Sequence, residues 1–235
     1  MHRFYAPDIA STLELPEAES QHAIRVLRLT EGDEIEVIDG KGNLYLCRIA
    51  LAHSKRCGVE VTECRHEPNH WNGKIMIAVA PTKNVDRMEW MAEKVTEMGV
   101  DRIIPLLCRH SERKELKRER IGKILVSAMK QSLKATLPEL DEMTAVKKVL
   151  DAAELPRQRF IAYCDADTER KQFEACYRPD EDVIVMIGPE GDFSPEEVAA
   201  AIGHGFVPVT FGESRLRTET AAMYAVAACH ALKQK

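Results

Sequence analysis

The densest run of functional side chains in the chain is Glu213-Ser214-Arg215-Leu216-Arg217-Thr218-Glu219-Thr220. Guanidinium, hydroxyl and carboxylate groups gathered in one loop can orient a polar ligand, stabilise developing negative charge or take up a proton. A second stretch, Gly188-Pro189-Glu190-Gly191, offers mainly backbone N–H and C=O groups. Its two glycines tolerate conformations that other residues resist, and its proline fixes one turn. Two such loops facing one another would suit a neutral or zwitterionic ligand with a heterocycle, held largely by main chain. The plainer alternative is a pair of ordinary strand-to-helix turns.

The flanking elements favour a built site. Val183–Ile187 is a short unbroken apolar run, the form of a strand buried on both faces of a parallel sheet. Ser194-Pro195-Glu196-Glu197 predicts a helix start with Ser194 as N-cap, Pro195 at the first helical position and Glu197 closing a capping box. Val207–Phe211 predicts a second buried strand ended by Gly212, and an alanine-rich helix follows the polar loop. Loops that leave the carboxyl ends of parallel strands are where open α/β sheets place their ligands.

Several familiar sites are missing. The sequence holds no Gly-x-x-x-x-Gly-Lys-Ser/Thr phosphate loop, no Gly-x-Gly-x-x-Gly after the first strand of its α/β part and no Gly-x-Ser-x-Gly elbow. The first two absences weigh against a nucleotide triphosphatase, a dinucleotide-dependent dehydrogenase and the Rossmann type of methyltransferase. The eight histidines, at 2, 22, 53, 66, 70, 110, 204 and 230, lack ligand spacing, so no metal is expected. His230 reads as a partly exposed structural residue.

At 235 residues, with 45% hydrophobic and 30% charged residues, the composition is that of a soluble globular protein of one or two domains. No apolar run is long enough for a membrane span, and Met1–Asp8 lacks the apolar core of a secretory signal. Seven cysteines without a Cys-x-x-Cys pair point to a reducing compartment, the cytoplasm. The net charge of −5 does not advertise nucleic-acid binding, so such a partner needs a local patch. Between Arg109 and Lys134, nine Lys and Arg stand against three Glu, which is either a phosphate-facing surface or a solvated helix face with ion pairs.

Residues 1–70 predict a small β-rich domain and 71–235 an α/β domain, joined at the polar stretch Glu67-Pro68-Asn69-His70. The first holds a hairpin of Glu34–Asp39 and Leu44–Leu51 about Gly40-Lys41-Gly42-Asn43, a strand at Gly58–Cys64 and a helix over Ser20–Leu29 that buries Ala23, Ile24 and Leu27. The second alternates strands near 75, 102, 159, 183 and 207 with helices at Val85–Met98, Arg120–Leu133 and Val146–Ala153, a parallel sheet covered on both faces. Asp165–Asp182 is weakly patterned and is assigned no element.

IGPEGDFSPEEV (Ile187–Val198) followed by LRTETAAMYAVAA (Leu216–Ala228) resembles the paired carboxy-terminal motifs of the SPOUT, or trefoil-knot, methyltransferases, and more closely the RsmE family of 16S rRNA uracil-N3 methyltransferases. EKVTEMGVDRIIPL (Glu93–Leu106), Ser111-Glu112-Arg113, Gln131-Ser132 with Leu137-Pro138, and HAIRVLRLTEGDEIEVIDGKG (His22–Gly42) extend the likeness over nearly the whole chain. Asp192 departs from it, since many members have glycine there.

The resemblance implies a PUA-like β-barrel followed by an α/β domain with a knotted C-terminal chain, and a homodimer with its site at the subunit interface. The stripe Ala221, Tyr224, Ala225, Ala228 and Leu232 fits a close helix contact, within one chain or between two. It further implies S-adenosylmethionine held by main chain near Ile187, Gly188, Pro189, Glu190 and Gly191, Phe211 and Gly212, and Leu216, Arg217, Thr218, Thr220 and Ala221. The substrate would be 16S rRNA of the small ribosomal subunit. Arg217 is the expected stabiliser of charge on the uracil, while Glu219 or Glu190 either takes the N3 proton or braces a loop. Arg25, Arg28, Arg109, Arg113 and Lys130 are the expected phosphate contacts. A knot enzyme acting on ribose 2′-oxygen or another base, and a non-catalytic ribosome-assembly factor, are the alternatives left open.

Overall fold

The structure, a computed structural model, describes residues 1–164 and 169–233. Its internal contacts form two compact units, Met1–His70 with Val126–Leu137, and Trp71–Leu125 with Pro138–Lys235. The stretch 126–137 thus groups with the first unit. Contacts between residues remote in sequence place it there, and a scan for periodicity does not register them.

The first unit is a four-stranded sheet of β1 (Arg3–Tyr5), β2 (Glu34–Ile38), β3 (Asn43–Leu51) and β4 (Gly58–His66), in that order. β1 runs parallel to β2, and the other neighbours are antiparallel. The β2–β3 turn forms because Asp39 caps it: its carboxylate accepts from the Lys41 N–H at 2.7 Å and from the Asn43 N–H and side-chain amide at 3.1 and 2.7 Å. Gly40 and Gly42 supply the positive φ angles the turn requires, +76° and +91°. Register shifts near Leu46/Cys47 and Ile49/Leu51 bend the β3–β4 pair around a core of Phe4, Ile9, Ile35, Val37, Ile49 and Val59. This bent sheet is the form that the expected small barrel takes.

Helix α1 (Ile9–Thr12) and helix α2 (Glu17–Gln21) follow β1, and α2 runs on as a π-turn over His22–Val26, in which the Leu27 N–H reaches the His22 carbonyl at 3.0 Å. The widened turn buries Ala23, half-buries Ile24 and Leu27, and leaves Arg25 and Val26 exposed. Met129 and Ala135 pack on Ile38 and Leu44, Gly42 donates to the Ala135 carbonyl at 3.0 Å, and Leu137 donates to the Gly40 carbonyl at 2.9 Å.

The second unit is built on a parallel sheet of β5 (Ile75–Val79), β6 (Arg102–Leu107), β7 (Glu139–Leu140), β8 (Thr144–Ala145), β9 (Gln158–Ala162), β10 (Lys171–Gln172), β11 (Val183–Ile187) and β12 (Val207–Thr210). The order is β10-β12-β9-β11-β5-β6-β7, with β8 also beside β6. All five residues of β11 are buried, as a strand covered on both faces demands. Its helices are α3 (Val85–Met98), α5 (Val146–Leu150), α6 (Phe173–Cys176), α7 (Pro195–Gly203) and α8 (Thr218–Lys233), while α4 (Arg118–Gln131) crosses from this unit into the first.

Local signals account for the helix ends. Asn84 caps α3 by accepting from the Asp86 N–H, and Gly99 ends it at φ +111°. Met88, Met91 and Val95 fill the core under α3, and Met98 is half-buried. Of the stretch 165–182, residues 165–168 lie outside the described residues, and β10 and α6 occupy part of the remainder. No helix among the described residues is long and apolar enough to cross a membrane.

Candidate active site

β12, β9 and β11 are neighbours in the sheet, so the loops beyond Thr210, Ala162 and Ile187 emerge side by side. They enclose a cavity of 410 Å³ with the start of α8. The backbone geometry of Gly188 is dictated by a close approach. A Cβ there would meet the Phe193 ring at 3.0 and 3.2 Å, so a side chain would force the loop off the apolar core beneath it. Beyond it, Ser194 and Glu197 form the expected capping box at 2.9 and 3.3 Å, with Pro195 at the first helical position. The other oxygen of Glu197 accepts the Arg109 N–H at 2.9 Å, tying the loop after β6 to the start of α7.

One hydrogen bond joins the two motif loops directly. The buried Thr218 hydroxyl donates to the Gly188 carbonyl at 3.0 Å. The Glu190 carboxylate accepts the Lys83 N–H at 2.9 Å, which braces the loop from the β5 side. His110 Nδ1 lies 3.2 and 3.1 Å from the Gly191 and Asp192 carbonyls. With two acceptors facing it, this nitrogen is the one that carries the proton.

Asp192 explains its own departure from the family pattern. Its φ of +62° is in the left-handed region, where glycine is at ease and Asp is among the residues that tolerate it. Its carboxylate accepts the Phe193 N–H at 2.8 Å and the Cys164 N–H at 3.0 Å. The side chain therefore fastens the loop after β11 to the end of β9, a link that glycine lacks.

Ile187, Gly188, Pro189, Glu190, Phe211, Leu216, Arg217, Thr218 and Ala221 all line the cavity. Gly191, Gly212 and Thr220 do not. Gly191 meets His110, the Gly212 carbonyl accepts the Thr210 hydroxyl at 2.8 Å, and Thr220 lines a second cavity of 390 Å³. Missing from the sequence expectations are Ala162, Tyr163 and Cys164 at the end of β9 and Arg87 on α3. The parallel-sheet pattern signalled β9, but strand order, which the pattern does not fix, is what sets its end beside β11.

Arg217 is exposed at the mouth, and its side chain has no ion-pair or hydrogen-bond partner among the described residues. Glu219 is buried, with Arg87 Nη1 at 3.6 Å from its carboxylate. Its place in the first turn of α8 is favourable for a negative charge. Burial pushes the Cys108 thiol, which sits under the site, up to about 12. Cys164 on the cavity wall is exposed, and partial burial followed by the Asp192 charge raises its thiol above the ordinary value. Among the described residues no three His, Cys, Asp or Glu side chains are grouped to hold a metal ion.

The expected phosphate contacts divide. Arg28 is exposed and has no side-chain partner among the described residues, and Arg25 donates to the Ser54 hydroxyl at 3.3 Å. Arg109 faces Glu196 at 3.3 Å on the surface. Arg113 donates to the Thr82 and Lys83 carbonyls at 3.1 and 2.7 Å, and Lys130 is paired with Glu19 at 2.7 Å. The basic run is thus partly neutralised by carboxylates from elsewhere in the chain, Glu142 at Arg118 and Glu89 at Arg120 included. Lys114, Lys117 and Lys123 are exposed and lack a carboxylate partner among the described residues.

Residues 69–230 match the family model described as RNA methyltransferase domain, and residues 15–62 match RNA methyltransferase PUA domain. A probable rRNA-methyltransferase from Porphyromonas gingivalis superposes with a TM-score of 0.95 and 43% identity over 100% of this chain and 99% of that one. The ribosomal RNA small subunit methyltransferase E of Neisseria gonorrhoeae, solved bound to S-adenosyl methionine, superposes with a TM-score of 0.86 and 28% identity over 99% and 98% of the two chains. The Bacillus subtilis protein of the same name is 27% identical over 230 residues, 93% of this chain and 90% of its own. With the family model matched over residues 69–230 and the fold matched over the described chain, the chain belongs to the RNA methyltransferase family, in the group named ribosomal RNA small subunit methyltransferase E, or RsmE.

Proposed function

We propose that this protein methylates N3 of a uridine in 16S rRNA of the small ribosomal subunit, using S-adenosylmethionine held between the Gly188 and Thr218 loops. The observation that carries the reading is the Thr218–Gly188 hydrogen bond, which holds both motif loops around one cavity. The cavity suits such a cofactor. Its volume falls within the roughly 300–1,000 Å³ of small-molecule sites, its walls include Ile187–Pro189 and Leu216–Thr218, and Ile187, Leu216 and Ala221 give it an apolar surface. Glu190, Asp192 and Glu219 line it together with Arg87, Arg215 and Arg217, a balance of charge that suits a zwitterionic ligand.

When bound, S-adenosylmethionine supplies an electrophilic methyl group. The chain's own residues must expose the uracil, deprotonate it and stabilise the charge that grows on it. Base pairing or stacking hides the N3 edge, so the uridine is first extruded or met already unpaired. As N3 becomes a nucleophile, negative charge spreads to the ring carbonyl oxygens. Arg217, exposed at the cavity mouth and without a side-chain partner among the described residues, is our choice for the cation that meets it. Glu219 accepts the N3 proton, while Arg87 and the helix start keep its carboxylate oriented. Glu190 is a loop brace, since the Lys83 N–H already holds one of its oxygens. Much of the rate comes from alignment of nucleophile and methyl group.

RNA phosphates are met by Arg25, Arg28 and Arg109, with Lys114, Lys117 and Lys123 added by their exposure. Arg113 and Lys130 keep structural roles. The C-terminal trefoil threading, the homodimer and the cytoplasmic location belong to the same proposal. For the dimer, Tyr224 and Leu232 are the more accessible members of the α8 stripe, because Ala221, Ala225 and Ala228 are already buried within the chain. The reading is tested by transfer of labelled methyl groups into small subunits lacking the modification, followed by nucleoside analysis. It expects N3-methyluridine. A 2′-O-methyl product, or no incorporation at all, sinks it.

A further inference from the structure

The second cavity shares three residues with the first, Arg87, Arg217 and Glu219, and is completed by Asp86, Trp90 and Thr220. Arg87 and Trp90 lie one turn apart on the same face of α3, and Asp86 lies four residues before Trp90. α3 meets its packing needs with the opposite face, where Met88, Met91, Ala92 and Val95 are almost fully buried. Trp90 is 43% exposed. An indole held at the surface beside a ligand-sized hollow, on a helix whose core contacts are made by other residues, calls for a ligand with a flat face.

We propose that this second cavity receives the substrate base, with the exposed indole of Trp90 as the surface on which the ring stacks. This rests on the proposed methyl transfer and deepens it. The polar groups around the indole match a uracil edge. The Arg87 and Arg217 guanidiniums and the Thr220 hydroxyl can donate to ring carbonyls, and the Glu219 carboxylate can accept the imide proton. Because the same three side chains line both cavities, a base stacked here presents its edge to the wall it shares with the cofactor cavity. A stacking face tolerates any base, so the choice of uracil falls to Arg217, Thr220 and Glu219. Trp90 is a binding residue in this scheme and takes no part in proton transfer.

The experiment uses the full chain as wild type, Trp90→Ala and Trp90→Phe. Methyl transfer into small subunits lacking the modification is read alongside calorimetric binding of S-adenosylmethionine and sedimentation. Trp90→Ala should lower kcat/KM for the RNA roughly 5- to 150-fold, the range a base–aromatic stack is worth, with cofactor affinity and mass unchanged. Trp90→Phe should restore most of the loss. Uridine 5′-monophosphate at millimolar concentration should quench the emission of the wild type and not that of Trp90→Phe, in which Trp71 is the remaining indole. Transfer by Trp90→Ala at the wild-type rate overturns the inference alone. A smaller sedimenting species for Trp90→Ala also overturns it, by assigning this face to a contact between copies. A wild type that neither binds the cofactor nor methylates the subunits defeats the proposed function and this inference with it.

Discussion

Arg217 differs from most arginines of this chain in what surrounds it. Arg113, Arg118 and Arg120 are each engaged by carbonyls or carboxylates, whereas the Arg217 side chain has no partner among the described residues and stands at a cavity mouth. A cation held for a transition state is worth most when removed. Arg217→Ala should cost roughly 100- to 1,000-fold in kcat, the range seen when one charge-stabilising donor is lost. Calorimetry should show cofactor affinity within a few fold of wild type, and full activity would remove Arg217 from the mechanism. Cys164 provides a second, non-catalytic reporter. It is exposed on the cavity wall, whereas burial pushes Cys47 up to about 11 and Cys108 and Cys229 up to about 12. With iodoacetamide at pH 8, mapped by mass spectrometry, the buried thiols should react only after unfolding. S-adenosylmethionine should slow alkylation of Cys164 and leave that of exposed Cys64 unchanged. Single residues are legible in the sequence where a residue type carries its own constraint, as with the Ser194–Glu197 box. It was silent on Asp192, because only the structure shows a left-handed backbone there and a Cys164 N–H within reach of the carboxylate.

Between elements, the decisive link is the short bridge from the first turn of α8 to the loop after β11. Thr218→Val keeps the shape and removes the donor, leaving the Gly188 carbonyl without that partner at a buried position. An unsatisfied buried acceptor costs about 1–3 kcal/mol. Urea unfolding should show a loss of that size, and cofactor affinity should fall with it. Thr218→Ser should retain both. Unchanged affinity in the Val variant would mean that the loops keep their places without the bond. Helices and strands were legible here because capping residues and apolar runs are local: α3 spans the expected 85–98, and Gly99 stops it. The basic run from Arg109 to Lys134 was less legible. Its surplus of charge was counted along the chain, while Glu19, Glu89, Glu142 and Glu196, which neutralise part of it, come from other segments.

For the molecule as a whole, alternating periodicities separate a β-rich first part from a parallel α/β second part, and the sheet order β12-β9-β11-β5-β6 supplies what periodicity lacks. That order brings Ala162–Cys164 at the end of β9 into the site, and neither motif carries a signal for them. The grouping of 126–137 with the first unit has no local signal either, since Met129 and Ala135 find Ile38 and Leu44 across a long stretch of chain. In the proposed function the loop after β11, tied to the start of α8 by Thr218 and to the end of β9 by Asp192, holds S-adenosylmethionine together with the loop after β12. The most direct test is a crystal structure of the protein grown with that cofactor. Ligand density is expected between Ile187–Pro189 and Leu216–Ala221, with the methyl group directed toward Arg217 and Glu219. Density elsewhere, or a vacant cavity at saturating cofactor, would contradict it.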